Sequence, residues 1–277
     1  MPREPDAPLD NRPCETGEAI QDNLARIWMM QTAGLQGSWE SFPGLHRFHT
    51  GENRPERNGI LQGAIPPGEY EHRIQETIAL LQASSRPYTW QFRTDHTPAG
   101  FAKRLERSGI MGLYHQTGMF CDLGSAGEGW ESGAREGCRV VRADNAERTG
   151  LWADVVAAAF GMRPQLDFAS MERERKHLEE RHEVCVRLLG YKESLPVGAV
   201  QVFGYGATAG IYSVGVLPSA RRRGFGTAVT LAALWEARAL GFRRAILVAA
   251  PAGASLYRRL GFRDRWTLGV HFWPGGA

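Results

Sequence analysis

The sequence predicts a mixed α/β fold in two consecutive halves, and three observations carry that expectation. Segments of helical and of strand periodicity alternate along most of the 277 residues. A glycine-dense polar stretch, Gly124 to Gly137, separates two such series. One succession of elements also recurs. A helix (70–83), an apolar strand (88–93), Pro98-Ala99-Gly100 and a short helix ending in Ser108-Gly109-Ile110 come first. A helix (227–240), an apolar strand (245–249), Pro251-Ala252-Gly253 and a short helix ending in Leu260-Gly261-Phe262 follow later. The expected layout is a leader over 1–16, a first domain over 17–123, a linker over 124–137 and a second domain over 138–277. The first domain is read as a degenerate copy of the second.

Taken in order, Pro2, Pro5, Pro8 and Pro13 among charged residues predict a flexible leader. Ile20, Leu24, Ile27 and Trp28 recur at helical spacing over 17–33. Strands are expected at 45–50, 59–65, 88–93 and 118–123. Helices are expected at 70–83, where Ile74, Ile78 and Leu81 share a face, and at 101–107. In the second half, Cys138 to Arg142 reads as a strand. A helix over 144–160 follows, capped by Asp144 or Asn145 with Glu147 in its first turn. A charged helix covers 168–182. Strands at 184–189 and 197–203 flank the turn Gly190-Tyr-Lys-Glu-Ser, and a third covers 211–217. Then come the helix 227–240, a wholly apolar strand 245–249, a short helix 255–260 and a closing strand 267–273.

Composition narrows the class. A hydrophobic content of 43% suffices for a packed core, and a net charge of +3 does not call for nucleic acid or membrane. Cys14, Cys121, Cys138 and Cys185 are scattered, with no Cys-x-x-Cys pair and no histidine spacing for zinc, so no metal is expected. No secretory signal and no membrane-length apolar run are found, and a cytoplasmic protein is expected.

One stretch concentrates the chemistry: Ser213-Val-Gly-Val-Leu-Pro-Ser-Ala-Arg-Arg-Arg-Gly-Phe-Gly-Thr227. A strand, a basic loop and a helix start in succession aim free backbone N–H groups and the positive helix end at one point. Gly224 and Gly226 let the backbone curl around a ligand, and a pyrophosphate is the natural guest. No Gly-Lys-Ser/Thr follows, which argues against a nucleoside-triphosphate loop. The dinucleotide fingerprint would need a glycine at Val229.

The segment Val214-Gly215-Val216-Leu217-Pro218 followed by Arg221-x-x-Gly224-x-Gly226 resembles the acetyl-CoA loop of the GCN5-related N-acetyltransferase (GNAT) family. Ser255-Leu-Tyr-Arg-Arg-Leu-Gly-Phe262 is similar to that family's Leu-Tyr-x-x-x-Gly-Phe segment, and the order of elements in the second half is that of its fold. The resemblance implies a tandem GNAT protein that takes acetyl-CoA as acyl donor and acetylates an amine, small-molecule or peptide. It implies donor contacts from Val214, Gly215, Val216, Arg221, Arg222, Arg223, Gly224, Phe225, Gly226 and Thr227. Strand 211–217 would splay from its neighbour to admit the pantetheine arm, and Pro251, which cannot continue a ladder, fits that splay. Tyr257 would be the general acid toward the leaving thiolate. An ordinary tyrosine titrates near ~10 and a thiol near ~8.5, so the phenol can donate. Two departures stand out. Ala250 occupies the position of a pantetheine-binding Asn, and the strand before the loop lacks the usual Glu base. For that base, water ordered by Tyr212 and Ser213, or Glu172, Glu174, His182 or His271, are all open.

The first half carries neither motif. Ile65-Pro66-Pro67-Gly68-Glu69 stands where the loop would be, and Leu105 aligns with Tyr257. It is expected to bind no acetyl-CoA. A non-catalytic acyl-CoA-binding protein is the alternative from another class, and nucleic-acid binding by Arg221 to Arg223 a third.

Overall fold

The computed structural model describes residues 16–124, 137–162 and 168–276. The expected leader up to residue 15 and the linker over 125–136 lie outside the described residues. The elements are α1 (Thr16–Gly34), β1 (Ser38–Phe42), β2 (Leu45–His49), β3 (Asn58–Gln62), α2 (Pro67–Gln82), β4 (Tyr88–Arg93), α3 (Phe101–Arg107) and β5 (Met111–Asp122). They continue with β6 (Arg139–Arg142), α4 (Ala146–Phe160), α5 (Phe168–Arg181), β7 (Val184–Lys192), β8 (Leu195–Tyr205), β9 (Thr208–Val216), α6 (Phe225–Ala239), β10 (Arg244–Ala249), α7 (Ala254–Arg259) and β11 (Arg263–Trp273).

Every expected element is present, and the differences have local causes. β1 is an addition; its Ser-Trp-Glu-Ser-Phe is mostly exposed, so no apolar alternation marks it. β5 begins at Met111 rather than 118, because Met111 to His115 are exposed. The expected turn at 190–194 contracts, since β7 and β8 pair as far as Lys192–Leu195, with Glu193 at φ 56. β3 stops at Gln62, and Gly63 N–H turns to Gly44 C=O at 2.8 Å. Asn145 caps α4 as expected, its side chain accepting from Arg148 N–H.

The chain divides into two compact units. The loop-bearing unit draws on Met1–Asn23, Phe120–Leu166 and His182–Leu247. Its strands run in the order β5 (its end, Phe120–Asp122), β10, β9, β8, β7, β6. β9 and β10 are parallel; β6–β7, β7–β8 and β8–β9 are antiparallel. α6 packs on one face, where Val229 sits so close over Gly190 and Gly198 that a Cβ at Gly190 would fall 2.7 Å from it. Val216, on that face, joins Phe225 and Ala228 in the core. The preceding residue, Gly215, points to the other face, where an added Cβ would meet Ala159 of α4 at 2.8 Å. Trp152 of α4 packs with Leu189 and Ala199 there, and its indole N–H donates to Val200 C=O.

The second unit comprises Leu24–Met119, Asp167–Arg181 and Val248–Ala277. Its strand order is β1, β2, β3, β4, β11, β5. β11 pairs antiparallel with β4 from Leu268–Arg93 to Trp273–Tyr88. The core is aromatic and aliphatic, with Trp90, Ile60, Ile74, Leu81 and Leu105 fully buried and Phe92 and Phe101 edge to face at 4.9 Å.

Candidate active site

The loop between β9 and α6 is built by four local choices. Pro218-Ser219-Ala220 forms a 3₁₀ turn, Arg221 is extended, Arg222 is left-handed at φ 62, and Gly224 is left-handed at φ 87 as the residue before α6. The Ala228 N–H is the first to bond back along the helix, to Gly224 C=O at 3.0 Å. Among the described residues, the N–H groups of Arg222, Arg223, Gly224, Phe225, Gly226 and Thr227 take no backbone acceptor. Six consecutive donors stand at the positive end of a 15-residue helix, the arrangement that binds a phosphate group.

The matching place in the first half is closed. Pro66 and Pro67 have no N–H to offer, and Glu69 and Tyr70 N–H both bond to Pro66 C=O, at 2.9 and 3.0 Å. Ile65 and Gly68 alone keep uncommitted amides there among the described residues, against six in a row at the second loop.

The strands differ in the same sense. β3 and β4 stay paired through Gln62–Phe92, the last residue of β3. β9 and β10 pair only over Thr208–Arg244, Ala209–Ala245 and Gly210–Ile246, leaving Ile211 to Val216 without a β10 partner. That is the splay the resemblance implied, and it opens after Ile246, ahead of Pro251. Within β9 the register against β8 shifts between Ala199 and Gln201, where Ser213 lies at φ 53. This β-bulge places Ser213 and Val214 opposite Val200 alone. Two non-glycine residues, Ser213 and Arg222, thus hold left-handed backbone in one short segment, at a cost on the order of 1–2 kcal/mol each.

Leu217 N–H bonds to Val197 C=O, so by antiparallel alternation the Val216 backbone groups face away from β8, toward the splayed side. Arg221 turns back onto this edge. Its Nε donates to Val216 C=O at 3.2 Å and its Nη2 to Ala159 C=O, in the last turn of α4, at 2.6 Å. Arg222 and Arg223 are exposed and make no ion pair among the described residues. The three arginines therefore divide into one that anchors the loop and two that extend from it.

Tyr257 lies on α7, in the second unit. Its ring meets Phe262 edge to face at 5.9 Å, and Gly253 lies beneath it, where a Cβ would fall 3.1 Å from the ring. Burial pushes its phenol up to about 12, which keeps it protonated.

The base candidates are dispersed. Glu172 pairs with Arg175 on α5. Glu174 is buried against Gly34. His182 is exposed at φ 53. His271 is buried on β11 beside Phe92, which holds its imidazole below the usual range. The Tyr212 hydroxyl donates to Asn23 Oδ1 at 2.8 Å, and burial holds it far above the usual tyrosine range. The Asn23 contact and the left-handed Ser213 carry no sequence signal: a lone Asn among helical apolar positions and a Ser in a β-branched run are both ordinary.

Residues 150–262 match the model of the acetyltransferase (GNAT) family. Over these residues the chain is similar to the GNAT acetyltransferase family, a family that implies acyl-CoA binding. Solved structures show the same fold over nearly the whole chain. A GCN5-related N-acetyltransferase from Kribbella flavida is 20% identical, with a TM-score of 0.63, covering 91% of this chain and 96% of that one. A tandem GNAT protein from the clavulanic acid biosynthesis pathway is 12% identical, with a TM-score of 0.53, covering 94% and 96%. A GCN5-related N-acetyltransferase from Sphaerobacter thermophilus is 20% identical, with a TM-score of 0.52, covering 83% and 76%. No curated protein matches the sequence. Among the described residues no His, Cys, Asp and Glu cluster could hold a metal, and no helix is long and apolar enough to cross a membrane.

Proposed function

We propose that the protein is an N-acetyltransferase that binds one acetyl-CoA, in the second half of the chain, and transfers the acetyl group to an amine by direct attack. The observation that carries this is the row of six open amides at the start of α6, beside a β9 edge that has left β10. The amides of Arg222 to Thr227 bind the pyrophosphate, with Arg222 and Arg223 adding charge. The free edge of β9 from Val214 to Val216 takes the pantetheine arm and offers an N–H to the thioester carbonyl, whose oxygen gains negative charge during attack. Tyr257 hands a proton to the departing thiolate. β9 carries no carboxylate and Tyr212 is occupied by Asn23, so the amine's proton leaves through water. The closed loop and zipped β3–β4 pair support a first half without donor binding.

Calorimetric titration of acetyl-CoA tests this. One site per chain, lost in Gly224→Asp, is expected. Two sites would overturn the silent first half, and no binding would overturn the whole reading. Binding without turnover on any amine, with Tyr257→Phe indistinguishable, would replace the enzyme by an acyl-CoA-binding protein.

A further inference from the structure

We infer that Asn23 is a positioning residue for the bulged segment of β9, a role that rests on the acyl-CoA reading above. Asn23 comes from α1, some 190 positions before the strand it touches, and it is wholly buried. Its side chain is a crossbar. Nδ2 donates to Phe203 C=O at 3.2 Å on β8 and to Thr208 C=O at 3.5 Å on β9, while Oδ1 accepts from the Tyr212 hydroxyl at 2.8 Å. The amide orientation is dictated by these partners. Reversed, Oδ1 would face two carbonyl oxygens, with no hydrogen between them.

The strand is shaped to receive it. A Cβ on Gly210 would lie 2.2 Å from Asn23 Oδ1 and 2.2 Å from the Tyr212 ring, so Gly210 is the floor on which both side chains rest. Tyr212 is then held from two sides, by the hydroxyl bond and by the ring's seat on Gly210. The next residue is Ser213, whose left-handed backbone makes the bulge. A serine does not hold that conformation unaided, so its neighbours must over-determine it. Downstream of the bulge, Val214 to Val216 run toward the loop without a β10 partner, Gly215 and Val216 still paired with β8. The chain of effect is Asn23 to Tyr212 to the bulge to the edge that has left β10. Neither Asn23 nor Tyr212 needs to touch the donor.

A purely structural hydrogen bond would affect stability alone; a positioning residue alters how one part of the site answers the ligand. The test uses the full chain labelled with ¹⁵N-glycine and ¹⁵N-valine and titrated with acetyl-CoA, following amide shifts. In the wild type, Gly224 and Gly226 report the loop, and Val214 and Val216 report the strand. Asn23→Leu is expected to keep the loop response, with a dissociation constant within about threefold of wild type, and to lose most of the Val214 and Val216 response. Tyr212→Phe removes only the hydroxyl and is expected to act in the same direction; it carries the test where Asn23→Leu does not fold. Both responses retained in folded variants would overturn the role of Asn23 and leave the acyl-CoA reading standing. No response anywhere in the wild type would overturn that reading, and this inference with it.

Discussion

The carbonyl of Val216 accepts a hydrogen bond from Nε of Arg221 at 3.2 Å, while the same guanidinium reaches Ala159 C=O. One planar side chain thereby ties the end of β9, the loop and the last turn of α4. Arg221→Ala is expected to lower stability by about 1–3 kcal/mol in urea unfolding, the scale of charged hydrogen bonds to backbone. Arg221→Lys should recover less than half, because an ammonium cannot span two carbonyls set for a fork. Arg222→Ala and Arg223→Ala should change stability by under ~0.5 kcal/mol and instead weaken acetyl-CoA binding more at low salt than at high salt.

Gly224 sits at φ 87 as the residue before α6. Gly224→Ala forces a Cβ into left-handed backbone, at a cost on the order of 1–2 kcal/mol. The cheaper escape is to unwind the first turn, which would misalign the open amides. Loss of acetyl-CoA affinity by at least ~10-fold, about 1.4 kcal/mol, is expected by calorimetry.

Tyr257→Phe should reduce turnover by about 10²-fold or more with acetyl-CoA affinity little changed, the pattern of a lost general acid. Burial pushes the phenol up to about 12, so it stays protonated across the working range. The pH–rate profile should therefore show no descending limb from this group between pH ~7 and ~10. A descending limb abolished by Tyr257→Phe would count against the assignment.

His271 gives a pH effect on stability. Neither ring nitrogen has a hydrogen-bond partner among the described residues, and burial holds the imidazole below its ordinary 6.5. The groups acting on it are Glu106, which favours the proton, and His115, which opposes it. Burial lowers His46 and His177 in the same way. Below pH ~6.5 the unfolded chain takes up protons that these folded histidines refuse, so stability is full above that pH and falls as the solution is acidified. Unfolding midpoints should drop between pH 7.5 and 5.5, and His271→Phe should flatten the curve.

Much of the loop-bearing unit was legible because its signals are local. A strand, three arginines and two glycines at fixed spacing, and an Ala- and Leu-rich helix sit within thirty residues, and the short-range rules of caps and turns cover them. The start of α2 was read late: a helix over 70–83 was expected, and it opens at Pro67, a residue suited to the first helical turn. Partners distant in sequence were not. The periodicity of residues 267–273 marks a strand but names no neighbour, and β11 in fact pairs with β4. Likewise the residue list Arg221-Arg222-Arg223 cannot say which guanidinium faces its own backbone. That depends on the left-handed turn at Arg222, and a non-glycine residue gives little warning of it.

The pairing of β11 with β4 also sets a timetable for biosynthesis. Thr94 Oγ1 at the end of β4 donates to Thr267 C=O, 173 positions onward. A ribosome therefore delivers β1 to β4 long before the strand that lies between β4 and β5 exists. Until residues 263–273 emerge, β4 has an open flank, and its Trp90 and Phe92 lack the cover that β11 provides. The first half therefore completes its sheet only after the second half has been made.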